Sequence, residues 1–156
     1  SSTVSCASRP LISTSMLFPK KVKHRKWQTG RKSPEKLARP DTRGTKVSFG
    51  SHGMKATTAG RITSNQIEAA RKVLTRATGK GGKLWIRVFP DKPFTKKPAE
   101  VKLGKGKGEP AGYEVEVLPG RVMFEVEGLG EVAAREALRK AGTKLPLKTK
   151  VVTRAH

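Results

Sequence analysis

Lysine alternates with glycine in one stretch of the sequence, Lys102-Leu-Gly-Lys-Gly-Lys-Gly-Glu. Glycine has no side chain, so the backbone can come close to a large ligand while Lys102, Lys105 and Lys107 place cations beside it. Lysine ammonium groups and backbone N–H groups are common contacts of proteins with nucleic-acid phosphates. The chemistry predicted for this stretch, including its spacers Gly104, Gly106 and Gly108, is binding to a polyanion.

The Gly-Lys stretch lies within a longer segment, residues 90–112, which carries four prolines and six lysines against three acidic residues. The segment separates two runs with strand patterns. Structureless connections of this length are uncommon in small domains and are usually either functional or disordered. We therefore expect residues 90–112 to form one long functional loop.

The chain as a whole is strongly basic: 34 Lys and Arg against 12 Asp and Glu in 156 residues give a net charge of +22. Self-repulsion of this size is typical of proteins that bind nucleic acid, although a solvated basic surface is the alternative. The charge is uneven, because residues 109–136 contain seven Glu and only two Arg. We expect this acidic part to face solvent or a basic protein.

The N-terminal third has little capacity for a core. Residues 1–15 are Ser-rich and free of acids, which is typical either of an organelle-targeting sequence or of a disordered tail. Residues 16–45 are basic and interrupted by proline, and they predict an extended arm. Trp27 lies in that arm, either stacking on a base or ribose or anchoring the arm to the protein core.

Two helices are predicted from apolar residues at helical spacing. The first follows Thr63, which has capping-box spacing with Gln66, and ends at Gly79. The second spans residues 131–141. The first helix buries Ile67, Ala70, Leu74 and Ala77 and carries a cationic outer face formed by Arg71, Lys72 and Arg76.

Alternating apolar residues predict strands at 46–50, 55–58, 83–89, 113–117, 121–127 and 147–153. Pro119 and Gly120 suit a type II turn, so 113–117 and 121–127 are predicted to pair as a hairpin with its glutamates in solvent. The expected fold is α+β, an antiparallel sheet with two helices on one side, a long basic loop and an extended basic N-terminal arm. Residues 46–153 form this domain, and 154–156 are a tail.

The sequence favours no enzyme, cofactor or metal site. Gly106-Lys-Gly108-Glu-Pro-Ala111 matches a dinucleotide fingerprint formally but neither follows a strand directly nor opens a helix. The three histidines are scattered along the chain, and the one cysteine, Cys6, lies in the Ser-rich segment 1–15. These residues therefore do not have the spacing of a metal site. No run approaches the length of a membrane-spanning helix, and no small-molecule substrate is expected.

Five segments in order resemble the bacterial-type large-subunit ribosomal protein sixteen family. They are MLFPKKVKHRKWQTGR (16–31), ITSNQIEAARKVLTR (62–76), GGKLWIRVFPDKPFTKKPAEVKLGKGKG (81–108), PGRVMFEVEG (119–128) and AREALRKAGTKLPLKTKVV (134–152). The resemblance implies a structural protein of the large ribosomal subunit. Its implied partners are large-subunit rRNA, the aminoacyl-site tRNA and neighbouring large-subunit proteins.

The resemblance also assigns roles to the matching residues. The basic arm would enter rRNA through Lys20, Lys21, Lys23, Arg25, Lys26 and Arg31. The first helix would face rRNA through Arg71, Lys72 and Arg76. The Gly-Lys loop, with Lys102, Gly104, Lys105, Gly106, Lys107 and Gly108, would reach the tRNA and the peptidyl-transferase centre.

The sequence departs from the family pattern in three places. Lys102 stands where many relatives carry an arginine, residues 33–43 are longer and richer in proline, and residues 1–15 precede Met16, an apparent ancestral start. The extension favours an organellar protein in the mitochondrial matrix, with the bacterial cytoplasm or the plastid stroma as alternatives. Two other functions stay open, a free RNA-binding chaperone that does not reside on ribosomes and, less favoured, a nucleotide-using enzyme.

Overall fold

The computed structural model describes residues 17–28 and 33–155. The Ser-rich extension 1–15 and the predicted arm cation Arg31 lie outside the described residues.

The described residues form three helices and seven strands. In chain order these are α1 (Pro34–Ala38), β1 (His52–Ala56), β2 (Gly60–Thr63), α2 (Ser64–Thr78), β3 (Lys83–Ile86), β4 (Lys92–Lys96), β5 (Glu109–Val117), β6 (Val122–Glu127), α3 (Glu131–Gly142) and β7 (Thr149–Thr153).

The strands form two antiparallel sheets. Sheet A has the order β3-β6-β1-β7, and sheet B has the order β2-β5-β4. The predicted α+β class is confirmed, but the single expected sheet is replaced by two. Strands β2 and β4 were not predicted at all.

The predicted hairpin of 113–117 with 121–127 is wrong. Strand β5 belongs to sheet B and β6 to sheet A. The tight turn itself is present, since Arg121 N–H donates to the Leu118 carbonyl at 3.3 Å and Gly120 has a φ of +96°. Backbone bonds from Gly120 to Ala56 and from Ala56 to Arg121 (2.7 and 2.9 Å) bind the turn to the end of β1 and direct the chain into the other sheet.

The predicted loop 90–112 is shorter than expected. Residues 92–96 form β4, which pairs with the first part of β5, and only residues 97–108 remain as the connection. Pro93 and Pro110 conceal these strands in the sequence. Pro93 is tolerated because β4 is an edge strand, and Pro110 because the register of the ladder shifts next to its partner Thr95.

The two predicted helices are confirmed. Helix α2 begins with the Thr63 N–H donating to Gln66 Oε1 at 3.0 Å, and it ends at Gly79, whose φ is +61°. Of the four residues predicted to be buried, Ile67, Ala70 and Leu74 are buried, whereas Ala77 is exposed and lines a groove between α2 and α3. Helix α3 buries Ala134, Ala137, Leu138 and Ala141 as predicted.

The core lies between the two long helices and the inner face of sheet A. Met54 of β1 and Phe124 of β6 are fully buried there against Leu74 and Leu138 of the helices. Sheet B contributes Ile62 and other apolar side chains to the same cluster. One continuous core therefore joins both sheets.

The predicted strand 46–50 does not form, because its backbone bonds to a side chain instead of a neighbouring strand. Glu125 of β6 is completely buried on the outer face of sheet A. Its carboxylate accepts from the N–H groups of Ser48 (3.1 Å), Phe49 (2.6 Å) and Gly50 (2.8 Å). The expectation that the β6 glutamates face solvent is thus wrong for Glu125 and right for Glu127.

Arg87 completes the surroundings of the Glu125 carboxylate. Its Nη1 lies 2.7 Å from Glu125 Oε1 and donates also to the Lys46 carbonyl. The guanidinium is 5.6 Å from the ring centre of Phe49. Burial of the carboxylate raises the pKa of Glu125, but the three backbone N–H groups and Arg87 outweigh burial and hold the pKa below its ordinary value.

Residues 33–41 are not wholly extended as predicted. Ser33 caps the short helix α1, its Oγ accepting from the Lys36 N–H at 3.4 Å. Asp41 then donates its N–H to the Pro119 carbonyl at 2.8 Å and lies 3.4 Å from Arg121 Nη1. The arm is consequently attached to the turn between β5 and β6.

Replacing Glu125 with Gln is expected to lower the free energy of unfolding by about 3 kcal/mol, because the partly buried Arg87 loses its counter-charge and three backbone N–H groups lose a charged acceptor. Urea denaturation followed by far-UV circular dichroism measures the change. The control is Glu127→Gln, an exposed position in the same strand, which should shift stability by less than about 0.5 kcal/mol. Equal shifts in both variants would contradict the assigned role.

The contribution of Glu125 is also expected to depend on pH. Since its folded pKa lies below the ordinary 4.5, the stabilisation is complete above that pH and is lost as the pH falls through the folded pKa. The difference in unfolding free energy between the wild type and Glu125→Gln should be constant from about pH 6 to 8 and shrink below about pH 4.5. A difference that grows on acidification would refute this.

Candidate nucleic-acid interface

The basic arm, residues 17–28, lies against the folded domain. Leu17 packs on the core cluster. The Phe18 ring meets the ring of Tyr113 edge to face, with 5.8 Å between centres and 61° between planes. Such aromatic pairs stabilise by about 1 kcal/mol beyond their buried area, so these two contacts hold the beginning of the arm beside β5.

Further along, the arm is joined to the base of the Gly-Lys loop. Arg25 Nη2 donates to Glu109 Oε2 at 2.8 Å, and Lys26 Nζ lies 4.0 Å from Glu109 Oε1. Lys107 Nζ donates to the backbone carbonyl of Trp27. The Arg25–Glu109 pair is about three-quarters exposed, and exposed pairs contribute less than about 1 kcal/mol. The ion pair between the arm and Glu109 is therefore weak, and Arg25 could exchange it for a phosphate contact at little cost in free energy.

The tip of the loop has a left-handed backbone over three successive residues. Gly104, Lys105 and Gly106 have φ values of +103°, +59° and +96°. Lys105 is the one non-glycine residue with positive φ within the described ranges, a conformation that costs about 1 kcal/mol. Lys97 Nζ donates to the Gly104 carbonyl at 2.6 Å and fixes the neck of the loop.

The side chains at the loop tip are exposed. Leu103 is 98% exposed, and the side chains of Lys102, Lys105 and Lys107 are also in solvent. A Cβ added at Gly104 or Gly106 would meet nothing within 4 Å. The tip is thus free to meet a large partner from several directions.

The cations of α2 form a separate group. Arg71 is committed to Glu68, with N–O distances of 2.9 and 2.5 Å, and this hydrogen bond outweighs burial and lowers the pKa of Glu68. Lys72 and Arg76 are exposed. Arg76 lines a groove of about 570 Å³ between α2 and α3 together with Lys140 and other residues.

The arm, the loop and helix α2 all carry exposed cations. Comparison with known protein families identifies the family to which the chain belongs. The model of the family "Ribosomal protein L16p/L10e" matches residues 19–152. The chain belongs to the L16p/L10e family of ribosomal proteins. The family resemblance seen in the sequence is therefore confirmed.

A bacterial relative supports the same assignment. The chain is 57% identical over 139 residues to "Large ribosomal subunit protein uL16" of Halorhodospira halophila (strain DSM 244 / SL1), covering 89% of this chain and 98% of the relative. L16 proteins are structural and not enzymes, so the prediction that this chain is no enzyme is confirmed.

The predicted L16 site residues fall into two groups. The arm and the loop come together through Arg25, Lys26 and Lys107, whereas the α2 cations make no recorded contact with either among the described residues. The arm cations that the structure describes lie on the surface, and Lys26 is the least exposed of them. They are Lys20, Lys21, Lys23, Arg25 and Lys26. Their binding to RNA stays a prediction.

Sequence reasoning missed the residues that position this L16 interface. Glu109 was counted only as part of the loop composition, yet it binds the arm. Arg61, adjacent to a buried isoleucine in β2, contacts Glu114 and Glu116 of β5. The seven Glu of residues 109–136 could have indicated internal ion pairs, because a strongly basic chain needs acidic partners to reduce charge repulsion when it folds.

Within residues 17–28 and 33–155, every helix is too short or too polar to span a lipid bilayer. No three His, Cys, Asp or Glu side chains in the same ranges converge into a group that would hold a metal ion.

Replacing Glu109 with Gln should loosen the arm by removing the charge that binds Arg25 and Lys26. Tryptic cleavage within residues 20–26, followed by mass spectrometry of the intact protein, should become about two- to fivefold faster, as expected for an exposed pair. Glu100→Gln, an exposed change within the same loop, is the matched control and should leave the rate unaltered. An unchanged rate for Glu109→Gln would mean that this pair does not hold the arm in solution.

Proposed function

We propose that this L16-family chain is a structural component of the large ribosomal subunit, where its arm and loop bind large-subunit rRNA and the loop lines the path of the aminoacyl-site tRNA. The observation that carries the proposal is the joining of a basic arm to an exposed Gly-Lys loop through Glu109 and Lys107. Neighbouring large-subunit proteins are the remaining partners.

The arm supplies affinity in this proposal. Phosphate contacts from lysine and arginine give sequence-independent binding, and they position a protein on RNA. Lys20, Lys21 and Lys23 are exposed, and no ion pair involving them is recorded in the described structure, so their charges are available for phosphate. The pair between Arg25 and Glu109 is weak enough to be exchanged on binding.

The loop supplies the contact with tRNA. Its left-handed backbone at residues 104–106 turns the chain without bulky side chains, which leaves Lys102, Lys105 and Lys107 at the surface. The exposed side chains of the tip can become ordered against a bound partner. No cofactor, membrane or small-molecule substrate is part of the proposal.

The cellular compartment is a separate question. The sequence favoured the mitochondrial matrix because of residues 1–15, which lie outside the described structure. The relative named above is bacterial and gives that address no support. The bacterial cytoplasm and the plastid stroma are the alternatives that fractionation must compare.

Sucrose-gradient fractionation of the source cells and of their isolated organelles tests the proposal. The chain should sediment with the large subunit at low salt and remain there at moderate salt. Lys20→Ala/Lys21→Ala/Lys23→Ala should reduce the slope of log affinity for large-subunit RNA against log salt by about 2.1 to 2.7, since each of the three lost phosphate contacts removes about 0.7 to 0.9. A chain that stays at the top of the gradient at every salt would favour the free chaperone instead.

A loop variant separates the role of the loop from that of the arm. Lys105→Ala/Lys107→Ala is expected to slow accommodation of aminoacyl-tRNA, measured by rapid kinetics on purified ribosomes, more than it lowers occupancy of the large subunit. Lys20→Ala/Lys21→Ala is the matched control with an equal loss of charge and should have the opposite bias. Equal losses of both functions in the loop variant would argue against a separate role for the loop.

A further inference from the structure

A pair of stacked aromatic rings lies on the outer face of sheet A. Trp85 of β3 is the cross-strand neighbour of Glu125 in β6, so both side chains project from this face. The ring of Phe49 stacks on Trp85, with 6.2 Å between the ring centres and 21° between the ring planes. Phe49 is nevertheless 55% exposed, which leaves ring surface available to a partner.

The backbone of Phe49 is held firmly on the sheet. Its N–H group donates to Glu125 Oε2 at 2.6 Å, and the N–H group of Gly50 donates to the same oxygen at 2.8 Å. A Cβ added at Gly50 would lie 2.6 Å from the carbonyl oxygen of Val126, so the backbone here lies directly on β6. A ring whose backbone is already fixed loses little conformational freedom when it binds a ligand.

Arg87 positions the ring of Phe49. Its guanidinium carbon is 5.6 Å from the centre of that ring. Its Nη1 donates to Glu125 Oε1 and to the carbonyl of Lys46. The Arg87 side chain is only 18% exposed and is occupied by these contacts. It therefore orders the aromatic pair and is not itself expected to bind a ligand.

Two exposed lysines lie beside the aromatic pair. Lys83 precedes Trp85 by two residues in β3, so its side chain projects from the same face of the strand. Its cross-strand neighbour is Glu127, but the two form no ion pair within the described residues. Lys46, whose carbonyl accepts from Arg87, is exposed as well and pairs with no acid in the described chain. The ammonium groups of Lys46 and Lys83 are therefore available to an anionic ligand.

This combination of groups selects among ligand classes. A single exposed apolar side chain is ordinary on a protein surface and implies no ligand. An exposed aromatic platform with free lysines beside it is the composition of sites for single-stranded nucleic acid, where bases stack on rings and cations follow the phosphates. A small inorganic anion would leave the ring uncovered. A protein partner is disfavoured, because lysine is depleted in protein–protein interfaces.

We propose that Phe49 is a stacking platform for one unpaired RNA base, with Lys46 and Lys83 contacting the neighbouring phosphates. The site lies on sheet A, whereas the Gly-Lys loop and residues 17–28 of the arm lie beside sheet B. The inference rests on the proposed function, since it adds a second contact with the same RNA partner. It implies that the chain binds RNA through both of its sheets.

The affinity of the full chain for purified large-subunit rRNA, measured by filter binding over a range of salt, tests the platform. Phe49→Leu keeps an apolar cover over Glu125 but removes the ring, so binding should become about tenfold weaker. The salt slope should not change, because stacking releases no counterions. Lys46→Ala/Lys83→Ala should instead reduce the slope by about 1.4, or about 0.7 for each lost contact with a single strand.

Two further variants separate stacking from a purely structural role of Phe49. Phe49→Tyr retains an aromatic ring and should bind within about twofold of the wild type. Phe89→Leu is the matched control, because Phe89 is 46% exposed but takes part in no ring contact among the described residues. It should also bind within about twofold of the wild type. Wild-type affinity in Phe49→Leu, or an equal loss in Phe49→Leu and Phe89→Leu, overturns the inference.

Photo-crosslinking identifies the occupant without depending on the stability of Phe49→Leu. A photoreactive phenylalanine derivative at position 49 keeps a ring there, and the full chain carrying it is assembled into large subunits. Cross-links to rRNA at one or a few nucleotides are expected in the absence of tRNA, and cross-links that require tRNA would assign the base to tRNA. Cross-links to a protein alone would overturn the RNA site.

Sedimentation of the same variant distinguishes failure of this site from failure of the proposed function. A chain that sediments with the large subunit but forms no RNA cross-link from position 49 would overturn the platform and leave the ribosomal function intact. A wild-type chain that does not sediment with the large subunit would overturn both.

Discussion

The buried carboxylate of Glu125 is the interaction on which the rest of the structure depends. It accepts three successive backbone N–H groups from residues 48–50 and pairs with Arg87, so it holds the segment that precedes β1 against the outer face of sheet A. An isolated charge at this depth would be strongly unfavourable. Three backbone N–H groups and Arg87 stabilise the carboxylate. The carboxylate in turn fixes the position of residues 48–50, which connect the basic arm to β1.

Acidic residues serve the same purpose elsewhere in the chain. Within residues 109–136, Glu109 binds the arm, Glu114 and Glu116 lie between Arg61 and Lys92, and Glu131 and Glu136 pair along α3. This stretch was expected to face solvent or a basic protein. Four of its seven glutamates are exposed, whereas Glu114 and Glu125 are buried, and six of the seven pair with cations within the fold. Exposed positive charge is left on the arm and the loop.

The sequence predicted helices well because their signals are local. The capping spacing of Thr63 with Gln66 and the buried positions of α3 are properties of adjacent turns. Sheet partners depend on distant residues, and for that reason the hairpin of β5 with β6 was predicted wrongly although its turn was right. Strand β4 was missed because Pro93 and the lysines at both ends of the strand obscured its pattern.

The candidate site divides in the same way. The exposed lysines of the loop and arm were readable from composition and from family resemblance, since exposure needs no partner. The residues that position them, Glu109 and Arg61, act through contacts across 84 and 53 positions of sequence separation respectively. Glu114 Oε1 is buried without a hydrogen bond within the described chain. The sequence could not predict this, because alternation along a strand does not show which residues cover each face of the sheet.

Photo-crosslinking from the loop tip tests the central claim most directly. A photoreactive residue at position 105 would be placed in the full chain on purified large subunits and irradiated with and without aminoacyl-tRNA. Cross-links to large-subunit rRNA at a few defined nucleotides, joined by cross-links to tRNA when it is present, are the expected result. Cross-links scattered over any added RNA, with none specific to the large subunit, would contradict the account.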